Sequence, residues 1–135
     1  MYNRIKSVLT NKTYLLMCAA LTFLYYLLAG VQYWISDYLI TVLKQEEEVV
    51  FPTFAVISIT GPVLGVVVGG NVTTSLGGYN SPKSLKLMCL VSFFAVGSSI
   101  PVAFVDDFIT VVILVWLLLF AGGFILPTIT GIMLN

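Results

Sequence analysis

The sequence predicts an all-α membrane protein of four transmembrane helices, and three observations lead there. Hydrophobic residues make up 59% of the 135 residues and charged residues 9%, with a mean hydropathy of +1.07, whereas soluble domains are about a quarter charged. The few charges are clustered, so four uncharged runs separate them, over residues 13–36, 49–82, 87–105 and 108–135. Each run supplies about 20 residues of helix, enough to cross a hydrocarbon core of ~30 Å. Finally, four consecutive crossings would gather Arg4, Lys6, Lys12, Lys83 and Lys86 at one end. The other end keeps Lys44 beside Glu46, Glu47, Glu48, Asp106 and Asp107. The whole chain, 1–135, reads as a single transmembrane region.

The first helix is expected over 13–43, after the basic lead of Arg4, Lys6 and Lys12. It is too long to lie wholly in hydrocarbon and should tilt or project. A basic lead before an apolar run also opens a signal peptide. This run exceeds a normal h-region, however, and no small-x-small cleavage site follows it.

The second helix is expected over 49–70, entered through Phe51-Pro52, since proline is tolerated in a first turn where its missing N–H has no partner to lose. Gly61, Gly65 and Gly69 repeat every fourth residue, a spacing that lets two helix backbones approach closely. Pro62 removes an intrahelical hydrogen bond and should kink the helix, with Ser58 and Thr60 placed to satisfy freed carbonyls.

The third helix is expected over 85–104 and the fourth over 108–134, where Asp106-Asp107 face the positive end of the helix dipole. Gly122-Gly123 and Pro127, followed by Thr128, Thr130 and Gly131, should leave its second half bent and closely packed. Interrupted helices point to transporter binding regions, and equally to ordinary kinks.

Because cytoplasmic loops retain an excess of lysine and arginine, the N-terminus, the second-to-third loop and the C-terminus should be cytoplasmic. Plasma and endolysosomal membranes are not distinguished. The last run reaches Leu134-Asn135 without a basic anchor or polar cap. The reading favoured is a chain cut short of its full length; the alternative is a small protein whose last helix ends at the interface.

Composition excludes several classes. Zero net charge gives no electrostatic footprint for nucleic acid. With no histidine and two cysteines, neither a metal site nor a disulfide framework is expected; Cys18 and Cys89 read as small buried apolar side chains. No paired carboxylates, phosphate loop or nucleophile–base set is present, so an enzyme has no residue to stand on and no cofactor is expected. Asn11-Lys12-Thr13 and Asn71-Val72-Thr73 match the glycosylation pattern but fall on the cytoplasmic side. Glu46-Glu47-Glu48 reads as a solvated loop.

At 100° per residue, Thr22, Tyr25, Tyr26, Ala29, Gly30, Gln32, Tyr33, Ser36 and Asp37 share an arc of roughly 160° on the first helix. The opposite face is built from Leu24, Leu27, Leu28, Val31, Trp34, Ile35 and Leu39. Polar groups are costly against lipid, so the arc either lines a water-filled path or, in part, is an interfacial aromatic belt of Tyr33 and Trp34, with Ser36 and Asp37 in outside water.

With these pieces in order, the chain resembles helices seven to ten of the major facilitator superfamily. The run from Gly65 through Gly69, Gly70, Gly77 and Gly78 to Tyr79, with Lys83 and Lys86 after it, stands where that family has a Gly-x-x-x-Asp-Arg-x-Gly-x-basic-basic loop. Threonine or valine occupies the motif's acidic and basic positions. The stretches 30–39 and 54–67 look most like the spinster-like branch, whose members are linked to sphingolipid and lysophospholipid export. The resemblance implies alternating access about a midplane site, walled here by the first, second and fourth helices. Tyr26, Gln32 and Tyr33 are then substrate-contact candidates, with Ser58 and Thr128 beside them and Asp37 as a proton or cation partner. Gly61, Gly65, Gly69, Gly123 and Pro127 would serve helix packing. Partners would be the bilayer, the transported small molecule or lipid, and the remaining helices of the transporter. A second class is a small four-helix assembly protein that binds copies of itself or another protein through its Gly61–Gly65–Gly69 face.

Overall fold

A computed structural model describes residues 11–79 and 81–134; Arg4, Lys6 and Asn135 lie outside the described residues. Four helices follow one another: α1 (Lys12–Thr41), α2 (Glu47–Ser75), α3 (Pro82–Ser99) and α4 (Phe108–Leu134), with a 3-10 turn at Pro101–Ala103 after α3. All four are long and apolar enough to cross a bilayer. The chain is an all-α integral membrane protein.

Local chemistry sets the helix ends. Lys44 adopts a positive φ of 52°, which turns the chain out of α1. Glu47 and Glu48 occupy the first turn of α2, where carboxylates meet the positive end of the dipole. The helix therefore starts two residues before the apolar run, and Pro52 falls in its second turn rather than its first. At the other end α2 continues to Ser75, past the expected 70. There Thr74 Oγ1 donates to the Gly70 carbonyl at 2.8 Å and Ser75 Oγ to the Val72 carbonyl at 2.8 Å, so polar residues extend the helix by bonding back onto it. Gly77 and Gly78, at φ of 102° and 86°, then reverse the chain in a conformation that side chains resist.

Ser81 caps α3 by accepting from the Lys83 N–H at 3.3 Å, with Pro82 at the first helical position, so α3 begins at 82 rather than 85. Asp107 caps α4: its Oδ2 accepts from Thr110 N at 2.9 Å and from Thr110 Oγ1 at 2.6 Å. These bonds hold the carboxyl below its ordinary value.

Burial is concentrated on α4 and on the face of α2 that meets it. Val50, Ile57, Gly61, Gly65, Gly69 and Thr73 are the buried positions of α2, and α4 is buried almost continuously from Leu119 to Ile129. A Cβ at Gly65 or Gly69 would run into the backbone of Phe120 or Phe124, and one at Gly123 into the backbone of Pro62. Two side-chain bonds join the pair, Trp116 Nε1 to Thr60 Oγ1 at 3.0 Å and Thr73 Oγ1 with Thr128 Oγ1 at 2.8 Å.

Among the described residues, α1 buries only Ile35 and Leu39, and α3 only Ser84 and Ser98. Ile35 and Leu39 join Val50, Ile57, Val111, Val115 and Leu119 in one cluster, at the end of the bundle that carries Glu46–Glu48 and Asp106–Asp107. Cys18 is half-buried and Cys89 exposed, which corrects the expectation of two buried thiols: Cys89 lies on the outer side of α3, away from α4.

Candidate functional site

Docking through Ile35 and Leu39 fixes the rotation of α1. The polar arc, centred about 120° away around the helix, is thereby turned outward, with Gln32 at its edge nearest the contact. Tyr26 and Tyr33 are 76% and 74% exposed, and Gln32 and Asp37 are exposed as well. Thr22 Oγ1 donates to the Cys18 carbonyl at 2.9 Å and Thr41 Oγ1 to the Asp37 carbonyl at 2.6 Å, so these hydroxyls are already satisfied by their own helix. Tyr33 stands edge-on to Trp34, with ring centroids 5.2 Å apart.

A cleft runs along each side of α1. On one side, about 230 Å³ is enclosed between α1, α2 and α4, where Tyr25, Ala29 and Gln32 face Pro62, Gly122 and Gly123. The space exists because the facing positions of α4 lack side chains and α2 carries its proline there. Leu28 rests against Gly122 at the margin of this cleft. On the other side, a cleft of about 530 Å³ separates α1 from the end of α3 and is floored by α4. Tyr26 and Gly30 sit on its rim.

The candidates named from sequence therefore fall in different places. Gln32 enters the α1–α2–α4 cleft, Tyr26 borders the α1–α3 cleft, and Tyr33 and Asp37 lie on the open face between them. Ser58 is on α2, its Oγ buried without a hydrogen-bond partner. The hydroxyl placed to serve the carbonyls freed by Pro62 does otherwise: Thr60 Oγ1 donates to the Val56 carbonyl at 2.8 Å. Thr128, named as a substrate contact, lies elsewhere again. It is 2% exposed and hydrogen-bonded to Thr73, inside the α2–α4 contact, where it clasps two helices.

Pro127 lies within α4, three residues before Thr130, whose Oγ1 donates to the Leu126 and Pro127 carbonyls. Gly61, Gly65 and Gly69 are covered by α4 of the same chain, so that face is not open to a second chain. Besides Thr73 with Thr128, two pairings were missed from sequence: Trp116 with Thr60, and Tyr38 OH with the Val102 carbonyl at 3.5 Å. Both bridge positions far apart in the chain, and neither carries a local signal.

No protein-family model matches the chain, and neither a curated protein nor a solved structure does. Function has to be argued from the geometry.

Proposed function

We propose that this chain forms part of the wall of a secondary-active membrane transporter of the major facilitator type, which moves a small or lipid-like solute by alternating access. One observation supports it above the rest: the polar face of α1 is left uncovered, from Gln32 at the α1–α2–α4 cleft round to Tyr33 and Asp37 on the open face. An amide at hydrocarbon depth is expensive, so such a face requires water or further protein over it. In this reading Gln32, Tyr33 and Tyr26 meet the solute, Asp37 carries the coupling proton or cation, and further helices of the transporter close the opposite wall. The sequence resemblance supports the same assignment, and the charge bias supports a cytoplasmic N-terminus. Ser58, whose Oγ is buried and unpartnered, is retained as a secondary contact. No nucleic acid, cofactor or catalytic step belongs to the proposal.

The test is cysteine accessibility in native membranes, in a Cys18→Ala, Cys89→Ala background. Gln32→Cys and Tyr33→Cys should react with a membrane-impermeant maleimide, whereas Leu90→Cys and Phe93→Cys, on the exposed apolar side of α3, should not. Labelling at Gln32 that is as slow as at Phe93 would remove the water-filled path and leave an assembly role for the polar face.

A further inference from the structure

The cleft between α1 and α3 continues into a second space of about 270 Å³ nearer the basic end, with Leu27, Val31, Ser99 and Leu118 common to both. Together they make one slot. Its near wall is a stripe on α1, Leu27, Val31, Trp34 and Tyr38, at spacings of three and four that put them on one side of the helix. Its floor is α4, through Val115, Leu118, Gly122 and Ile125, and its far wall is α3 with the 3-10 turn. Gln32 and Tyr33 lie on the opposite side of α1, and the slot shares only Tyr26, on its rim, with the proposed solute path; the inference does not use Tyr26 and does not rest on that path.

The chemistry of the slot is that of a hydrocarbon site. Its inner hydroxyls are engaged: Ser92 Oγ donates to the Met88 carbonyl at 2.9 Å, Ser99 Oγ to the Val96 carbonyl at 2.8 Å, and Tyr38 OH to the Val102 carbonyl, while Tyr26 stands exposed on the rim. A trapped water needs two to four polar partners, and these walls leave few. The mouth is bordered by exposed Phe23, Leu27 and Val96, side chains that meet lipid tails in a membrane-spanning chain. From Leu27 to Tyr38 the slot rises about 16 Å, roughly one leaflet of a ~30 Å core.

At its end stand Trp34 and Tyr38, residue types suited to the headgroup level. Val102 and Ala103 of the far wall lead within a few residues to Asp106 and Asp107, both exposed. Carboxylates at this end of the bundle favour a headgroup that ends in an ammonium and disfavour one of net negative charge.

We infer that the α1–α3 slot is a binding site for one acyl tail of a phospholipid with a choline or ethanolamine headgroup, taken from the leaflet at the acidic end. The lipid fills a gap that the helices leave open and ties α1 to α3, which the protein itself scarcely does.

The experiment reconstitutes the full chain in vesicles of equimolar phosphatidylcholine and phosphatidylglycerol, extracts it in mild detergent and counts retained phospholipid by native mass spectrometry. One phosphatidylcholine per chain is expected. Val31→Phe with Ala103→Phe, which fills the slot, should weaken retention about tenfold, as the loss of roughly two buried methylenes predicts. Ala29→Phe, in the cleft on the other side of α1, should leave it unchanged, and Asp106→Lys should shift retention toward phosphatidylglycerol. No retained lipid in the parent protein, a preference for phosphatidylglycerol, or equal retention in a slot-filled variant of unchanged helicity overturns the inference. If the filled variant does not fold, Trp116→Phe leaves Trp34 as the single indole. Quenching by tail-brominated phosphatidylcholine should then saturate near one lipid per chain, and quenching that never saturates overturns it too.

Discussion

The glycines of α2 and α4 do unequal jobs, and the atoms around each say which. At Gly65 an added Cβ meets the carbonyl oxygen and backbone of the facing helix, which yield only if the helices separate, whereas at Gly70, five residues on, nothing lies within 4 Å. Gly65→Ala should therefore cost about 1–3 kcal/mol, the range for overpacking a tight contact. Gly70→Ala should gain about 0.5–1 kcal/mol by restricting the unfolded chain and favouring helix. Thr128→Val keeps the volume and removes the bond to Thr73, for an expected loss of about 0.6 kcal/mol, the mean for such bonds between membrane helices. Reversible unfolding in detergent micelles measures all three. Equal stabilisation by the two alanines would mean that helix propensity, not interhelical distance, governs these sites.

At the scale of elements, four spans are legible in the sequence because hydropathy alone decides whether a helix enters a bilayer. Their ends are less so. Thr74 and Ser75 look like loop residues in a hydropathy reading but extend α2 by bonding to its own carbonyls, and Ser81 starts α3 inside a polar stretch. The candidate site divides similarly. Periodicity reveals that α1 has a polar face, yet the direction of that face depends on Ile35 and Leu39 finding α2 and α4, a tertiary fact. Thr128 shows the limit plainly, since a hydroxyl beside a helix-breaking proline reads alike whether it faces a solute or a threonine across the interface.

The start of α4 makes a pH prediction. The Asp107 carboxylate is held by two bonds from Thr110 that lower its folded pKa. Its contribution is therefore fully present above the ordinary carboxylate value and is lost as pH falls through that value to the depressed one. Amide exchange at Thr110 should accelerate across that acidic window in the parent protein. In Asp107→Asn, which still caps but cannot titrate, exchange corrected for its intrinsic rate should stay flat. A parallel rise in both would assign the fraying to another group.

The whole molecule is a rigid pair with two looser companions. α2 and α4 touch backbone to backbone from Gly61 to Gly69 and are closed at the basic end by Thr73 and Thr128. α1 is held through Leu28, Ile35 and Leu39 toward the acidic end, and none of its described residues before Leu28 is buried. Clefts on both sides of α1 give that half room to move, and few buried contacts mean a low local cost of displacement. If alternating access operates here, α1 should pivot at its acidic end while α2 and α4 stay together. Spin labels at Val67 and Ile113, exposed sites on the rigid pair, should give one narrow distance distribution. Labels at Leu16 and Val67 should give a broad or split one, and labels at Val42 and Ile109, across the acidic end, a narrow one again. Equally narrow distributions for all three pairs would show α1 fixed along its whole length, and the transporter reading would lose the element that moves.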